Sequence, residues 1–181
     1  MKKTVILIGL VVITGSLFAQ KKVTTSATVK FDATTSLDNL SKAENKTVIA
    51  SLNTTTGALA FEASVKNFAF TNPTMQDHFN GSGWMESDKY PTFAYKGAIT
   101  DLAAVDFTKD GVYKVKTEGT LTVKGVEKKL TTPATITIKE GLITASADFS
   151  IKLADYGITG VPIDGGKVAK EPKVTVTAEL K

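Results

Sequence analysis

The chain has 181 residues, no cysteine and one histidine, and its 22 basic and 18 acidic side chains leave a formal charge of +4. That length suits one domain with a real core, and the missing cysteines exclude disulfide staples, thiol nucleophiles and cysteine metal sites. The lysines are scattered among acidic residues, with no basic stripe interleaved with exposed aromatics, so no nucleic-acid partner is expected.

At the N-terminus Lys2 and Lys3 precede an apolar run from Val5 to Ile13, then Gly15 and the small Ala19, the pattern of an export signal. Residues 1–19 are therefore expected to be a signal peptide cut before Gln20, and residues 20–181 the mature domain, periplasmic or secreted. Loss of Lys2 and Lys3 brings the charge to +2. The run is shorter than the ~20 residues of a membrane helix, so no integral membrane span is expected after cleavage. No cysteine follows the signal to accept a lipid anchor.

From Val23 onward the rhythm is alternation of apolar and polar residues, the mark of strands with one buried face. Strands are expected near Val23–Asp32, Thr47–Asn53, Ala58–Lys66, Thr92–Ile99, Gly111–Lys124, Leu130–Lys139, Leu142–Lys152 and Lys173–Leu180. In the fifth, Tyr113, Val115, Leu121 and Val123 share a face; in the seventh, Ile143, Ala145, Ala147, Phe149 and Ile151 do. Thr56-Gly57, Asp110-Gly111, Lys124-Gly125 and Glu140-Gly141 are the turn signals between them. The fold class is all-β, and about eight such strands close into an antiparallel barrel or pack as a sandwich.

Between the third and fourth strands the rhythm breaks. Asn72-Pro73 is an N-cap followed by proline at the first helical position, which predicts a short helix ending at Asn80-Gly81. Met75 and Phe79 lie four apart on one face of it, and Trp84, Met85 and the turn-like Asp88-Lys89-Tyr90-Pro91 follow. Such a helix either closes an open barrel or caps a filled one. The inward face carries the small residues Ala50, Ala63, Gly119, Ala134, Ala145, Ala147 and Ala178, which leave room for a ligand in an eight-stranded barrel. Phe61, Phe93, Phe149 and Trp84 are the side chains that would fill the space otherwise.

Enzyme chemistry finds little support. His78 is the one histidine, its neighbour Asp77 points elsewhere on a helix, and no serine stands in a nucleophile elbow. Gly81-Ser82-Gly83 lacks the lysine and preceding strand of a phosphate loop. The protein is expected not to be an enzyme.

Four motifs in order carry a resemblance: Met75-Gln76-Asp77-His78-Phe79; Glu86-Ser87-Asp88-Lys89-Tyr90-Pro91-Thr92-Phe93; Gly119-Thr120-Leu121-Thr122-Val123-Lys124-Gly125-Val126; and Phe149-Ser150-Ile151 with Asp155-Tyr156-Gly157-Ile158. Across nearly the whole mature chain the sequence resembles the YceI-like family of exported, lipocalin-like proteins. The resemblance implies an eight-stranded antiparallel barrel with a short helix over one end, whose apolar tunnel holds a polyisoprenoid, an isoprenoid quinone or a fatty-acyl compound. It implies a lipid-like partner, no required cofactor and non-enzymatic storage or transport; the oligomeric state is open, a homodimer being one option. His78 matches the family's histidine and Phe79 stands where leucine is common. Met75 and Leu153 replace basic residues, which removes charge that would hold a polar head. The side chains expected at the ligand are Phe61, Phe68, Phe70, Met75, His78, Phe79, Trp84, Met85, Phe93, Tyr95, Phe149 and Ile151. The alternative is an exported, stress-related protein-interaction module with a filled barrel.

Overall fold

In a computed structural model the described residues are 20–181; the expected signal peptide lies outside them. The strands are β1 (Lys21–Asp32), β2 (Lys42–Asn53), β3 (Ala58–Ser64), the two-residue β4 (Ala69–Phe70), β5 (Thr92–Ile99), β6 (Gly111–Val123), β7 (Val126–Lys139), β8 (Leu142–Ser150) and β9 (Lys173–Leu180). Helix α1 (Pro73–Asn80) and one-turn α2 (Val161–Asp164) complete the regular elements, with short 3-10 turns between. Every pairing is antiparallel. Neighbours run β1-β9-β8-β7-β6-β5-β3-β2, and β2 returns to β1, so eight strands close a ring with β4 added on β2. Closure removes the exposed sheet edges that a sandwich would leave, and settles the choice between those two architectures.

Alternation along each strand sends the apolar set inward. Lys124 and Gly125, at φ 49° and 74°, and Glu140 and Gly141, at φ 51° and 79°, form two-residue turns with both central residues left-handed, which match the twist of their strands. Asp110-Gly111 is not such a turn. The β5–β6 connection is a longer loop, and the Asp110 carboxylate accepts the Glu140 backbone N–H at 3.0 Å, tying that loop to the β7–β8 turn.

Three strands start earlier than their pattern indicates, β1 by two residues and β2 and β7 by more. In β2 the alternation slips at Lys46-Thr47, both exposed, so Ala43 and Asn45 face inward out of phase with Val48. Asn45 is fully buried; its amide donates to the Ser64 carbonyl at 2.9 Å and its carbonyl oxygen accepts from Thr47 N–H at 2.8 Å. The side chain thus bridges the place where β3 leaves β2. In β7 the residues Glu127–Lys129 are exposed although fully paired with β6. The β7–β8 ladder spans only Ala134↔Ala147 to Lys139↔Leu142, so Val126–Pro133 pairs on one side alone. Lys128, Lys129 and Pro133 on that stretch discourage a further strand from adding there.

The β1–β2, β3–β5 and β8–β9 connections, with α1 and α2, gather at one end of the ring. At the other end Leu52, Ile99, Val105, Ile138, Ile143 and Leu180 pack as a buried plug.

Candidate functional site: an apolar cavity under a helical lid

Between plug and helix end the barrel is hollow, enclosing a cavity of about 140 Å³. Its wall is built by inward residues of most strands: Val29 and Phe31 of β1, Leu59, Phe61 and Ala63 of β3, Phe93 and Tyr95 of β5, Leu121 and Val123 of β6. Leu130, Ala134 and Ile136 of β7, Ala145, Ala147 and Phe149 of β8, and Val174 and Val176 of β9 complete it. Ile151, Leu153 and Ile158, beyond β8, join Phe68, Phe79 and Met85 at the helix end. Among the described residues no carboxylate, ammonium or imidazole lines the space; the polar residues on the wall are Tyr95, Thr117, Thr132 and Ser146. An ionised group placed there would lose its hydration without a countercharge, whereas an apolar chain gains by leaving water.

Phe79 seats the lid. Asn72 caps α1 by accepting the Thr74 N–H at 2.9 Å, and Pro73 starts the helix. Near the end of the helix, Phe79 is 1% exposed and meets four aromatic rings: Phe31 at 6.2 Å between centroids, Phe68 at 6.0 Å, Phe70 at 5.0 Å and Trp84 at 5.7 Å. Tilted and edge-on geometries of this kind are the favourable ones for aromatic pairs. The segment after α1 is fastened to the β6–β7 turn: Lys124 pairs with Glu86 at 3.3 Å, and the Tyr90 ring covers Gly125 so closely that a Cβ there would lie 2.7 Å from a ring carbon. Lys66 donates to Asp88 at 2.6 Å, and this contact holds the Asp88 carboxyl below its usual range. Two of the sequence motifs therefore meet at the lid as a clamp.

Of the side chains expected at the ligand, Phe61, Phe68, Phe79, Met85, Phe93, Tyr95, Phe149 and Ile151 line the cavity. Phe70, Met75, His78 and Trp84 do not. Phe70 and Trp84 are buried behind Phe79, and Met75 is half-buried against the core. His78 is exposed, because α1 turns Phe79 inward and its sequence neighbour away. Among the small inward residues, Ala63, Ala134, Ala145 and Ala147 line the void, while Ala50 and Ala178 are fully buried outside it. Gly119 lies beneath the Tyr95 ring. Val29, Leu59, Thr117, Leu121, Leu130, Thr132, Ile136, Val174 and Val176 were not among the expected residues; inward parity on strands already recognised was the signal for them. Leu153 is 1% exposed and on the cavity wall, so hydrocarbon stands there where the resemblance implied a basic residue in other members.

Among the described residues no group of three His, Asp or Glu side chains is placed to hold a metal, and no helix is long and apolar enough to cross a membrane.

The structure is similar to several solved ones. A polyisoprenoid binding domain from Saccharophagus degradans, implicated in plant cell wall breakdown, aligns with TM-score 0.75 and 12% identity over 90% of this chain and 98% of that one. BcnA of Burkholderia cenocepacia gives TM-score 0.69 and 18% identity over 86% and 96%. A Campylobacter jejuni YCEI protein gives TM-score 0.53 and 17% identity over 99% and 94%. No sequence among curated proteins matches. The model of the YceI-like domain matches residues 12–180, and the chain belongs to the YceI-like family.

Proposed function

We propose that this barrel binds an amphiphilic lipid by its apolar chain, a polyisoprenoid or isoprenoid quinone before a fatty-acyl compound, and stores or carries it outside the cytoplasm without chemical change. The observation that carries the reading is the hollow itself, a void bounded by alanines, aliphatic side chains and aromatic rings with no charged wall residue among the described residues. The similar fold of a polyisoprenoid binding domain supports the ligand class.

The energetics agree in scale. Burying hydrocarbon contributes about 0.8 kcal/mol per CH₂, so one five-carbon unit contributes about 4 kcal/mol before the costs of association. The void is on the scale of the ~150 Å³ engineered cavities that take up benzene, so it admits the leading part of a chain. A longer tail extends past half-buried Phe149 and Ile151 toward the lid. A filled barrel acting only as a protein-interaction module is the poorer reading, because a chain selected for packing would close such a void.

Native mass spectrometry of protein isolated from its own host tests this. The expected spectrum shows an adduct that disappears after organic extraction and returns on adding a quinone or prenol. The bare polypeptide mass, with no uptake on titration, would contradict it.

A further inference from the structure

The cavity wall is apolar at the lid and again at its far end, where Ala134, Ile136, Ala145 and Ala147 line it, and its hydroxyls lie in a band between. Tyr95 lies flat along the inside of β5, pointing away from the lid: a Cβ on Gly97 would stand 2.5 Å from its Oη, and one on Gly119 2.8 Å from its Cζ. Gly97 and Gly119 face each other across β5 and β6, so the two glycines form the trough that receives the ring. The Tyr95 hydroxyl is buried and has no hydrogen-bond partner among the described residues. One inward position deeper on β6 is Thr117, paired with Thr132 of β7, and both line the cavity. The Thr117 hydroxyl donates to the Thr132 carbonyl at 3.3 Å and the Thr132 hydroxyl to the Pro133 carbonyl at 3.2 Å. Their protons are used, whereas that of Tyr95 is free. Ser146 also borders the cavity, but it stands between the inward Ala145 and Ala147, and alternation puts its side chain on the other face of β8.

A phenolic proton left unsatisfied in a protein interior costs about 1–3 kcal/mol. Phenylalanine would fill the same trough without that cost, so a hydroxyl here is a feature without a purpose in the empty protein. We infer that Tyr95 is the specificity-determining residue of the cavity, donating its hydroxyl proton to a neutral acceptor oxygen, a carbonyl or ether, on an otherwise apolar ligand whose oxygen-bearing end enters first. This rests on the lipid-binding reading and sharpens it. Among the described residues no cation lines the cavity, which disfavours a phosphate-bearing head, and a quinone, ester or amide carbonyl supplies the acceptor.

The test compares two probes of similar isoprenoid bulk, a short-chain ubiquinone with carbonyl oxygens and squalene without any, titrated into wild-type protein, Tyr95→Phe and the control Tyr113→Phe. Tyr113 donates to the Lys109 carbonyl at 3.1 Å at the plug end and does not line the cavity. The wild type and Tyr113→Phe are expected to prefer the quinone, and Tyr95→Phe to lose roughly three- to tenfold of that preference, the effect of one hydrogen bond, with squalene affinity unchanged. Thermal melts of the variants show that each is folded. Equal affinity of wild type for both probes, or an undiminished preference in Tyr95→Phe, would overturn the inference while leaving lipid binding intact. Binding of neither probe would overturn both.

Discussion

The rings of Phe79 and Phe70 meet at 5.0 Å between centroids with their planes at 51°, so the residue that seats the lid helix is held by the short strand just before that helix. Phe79 is 1% exposed and its neighbour His78 is exposed, and the two positions are expected to behave oppositely. Phe79→Ala should cost about 3–5 kcal/mol, the usual cost of truncating a buried aromatic, whereas His78→Ala should change stability by less than about 0.5 kcal/mol. Urea unfolding of the two variants measures both. A costly His78→Ala would mean that the helix faces are assigned the wrong way round.

Alanines on and off the cavity wall give a second pair. Ala147→Leu and Ala63→Leu add carbon where there is space and should destabilise by less than about 1 kcal/mol while weakening lipid uptake. Ala50→Leu and Ala178→Leu add it to fully buried positions away from the void and should cost about 1–3 kcal/mol from overpacking. Equal costs at all four sites, by denaturant titration, would show that the barrel is filled.

Gly119 admits no side chain. A Cβ there would crowd the Lys96 carbonyl and lie 2.6 Å from the Gly97 Cα and 2.8 Å from the Tyr95 ring. Gly119→Ala should therefore destabilise by about 2 kcal/mol or more through strain, and calorimetry should show a lowered Tm. An unchanged Tm would mean that Tyr95 does not lie over this trough.

One carboxylate makes a pH-dependent contribution with a clear sign. Hydrogen bonds from the Thr108 hydroxyl, at 2.6 Å, and the Thr108 N–H, at 3.0 Å, together with Lys109 at 3.0 Å, hold Asp106 down to about 2 from an ordinary 3.8. A depressed folded-state value favours the folded form above the unfolded value. The contribution is thus complete above about pH 4 and is lost as pH falls toward 2. A carboxyl NMR titration should place the midpoint near 2, and Asp106→Asn should remove this part of the acid sensitivity; a midpoint near 3.8 would mean that the loop hydrogen bonds do not persist in solution.

Much of the barrel was legible because alternation and turn chemistry agree along most of the chain. Thr92–Ile99 and Lys173–Leu180 were readable to the residue, and α1 was readable from Asn72-Pro73 to Asn80-Gly81. β2 was legible only from Thr47, because Asn45 puts a polar side chain inward and the bulge beside it shifts the period, and a period-two pattern carries no record of a bulge. β7 was legible only from Leu130, since Glu127–Lys129 pair in a hairpin exposed on both faces. At the cavity, strand residues such as Phe61, Phe93 and Phe149 could be placed by parity. Trp84, Met75 and His78 could not, because the direction in which a lid segment presents its side chains depends on contacts such as Phe79 with Phe70 and Tyr90 with Gly125, which are remote from any local pattern.

The central claim, that an isoprenoid chain occupies this void, is most directly tested by alanine-methyl NMR of the labelled protein during titration with a short-chain ubiquinone. Intermolecular contacts to the methyl groups of Ala63, Ala134, Ala145 and Ala147, with Ala50 and Ala178 unaffected, are the predicted result. Contacts confined to surface alanines, or none at saturating ligand, would contradict it.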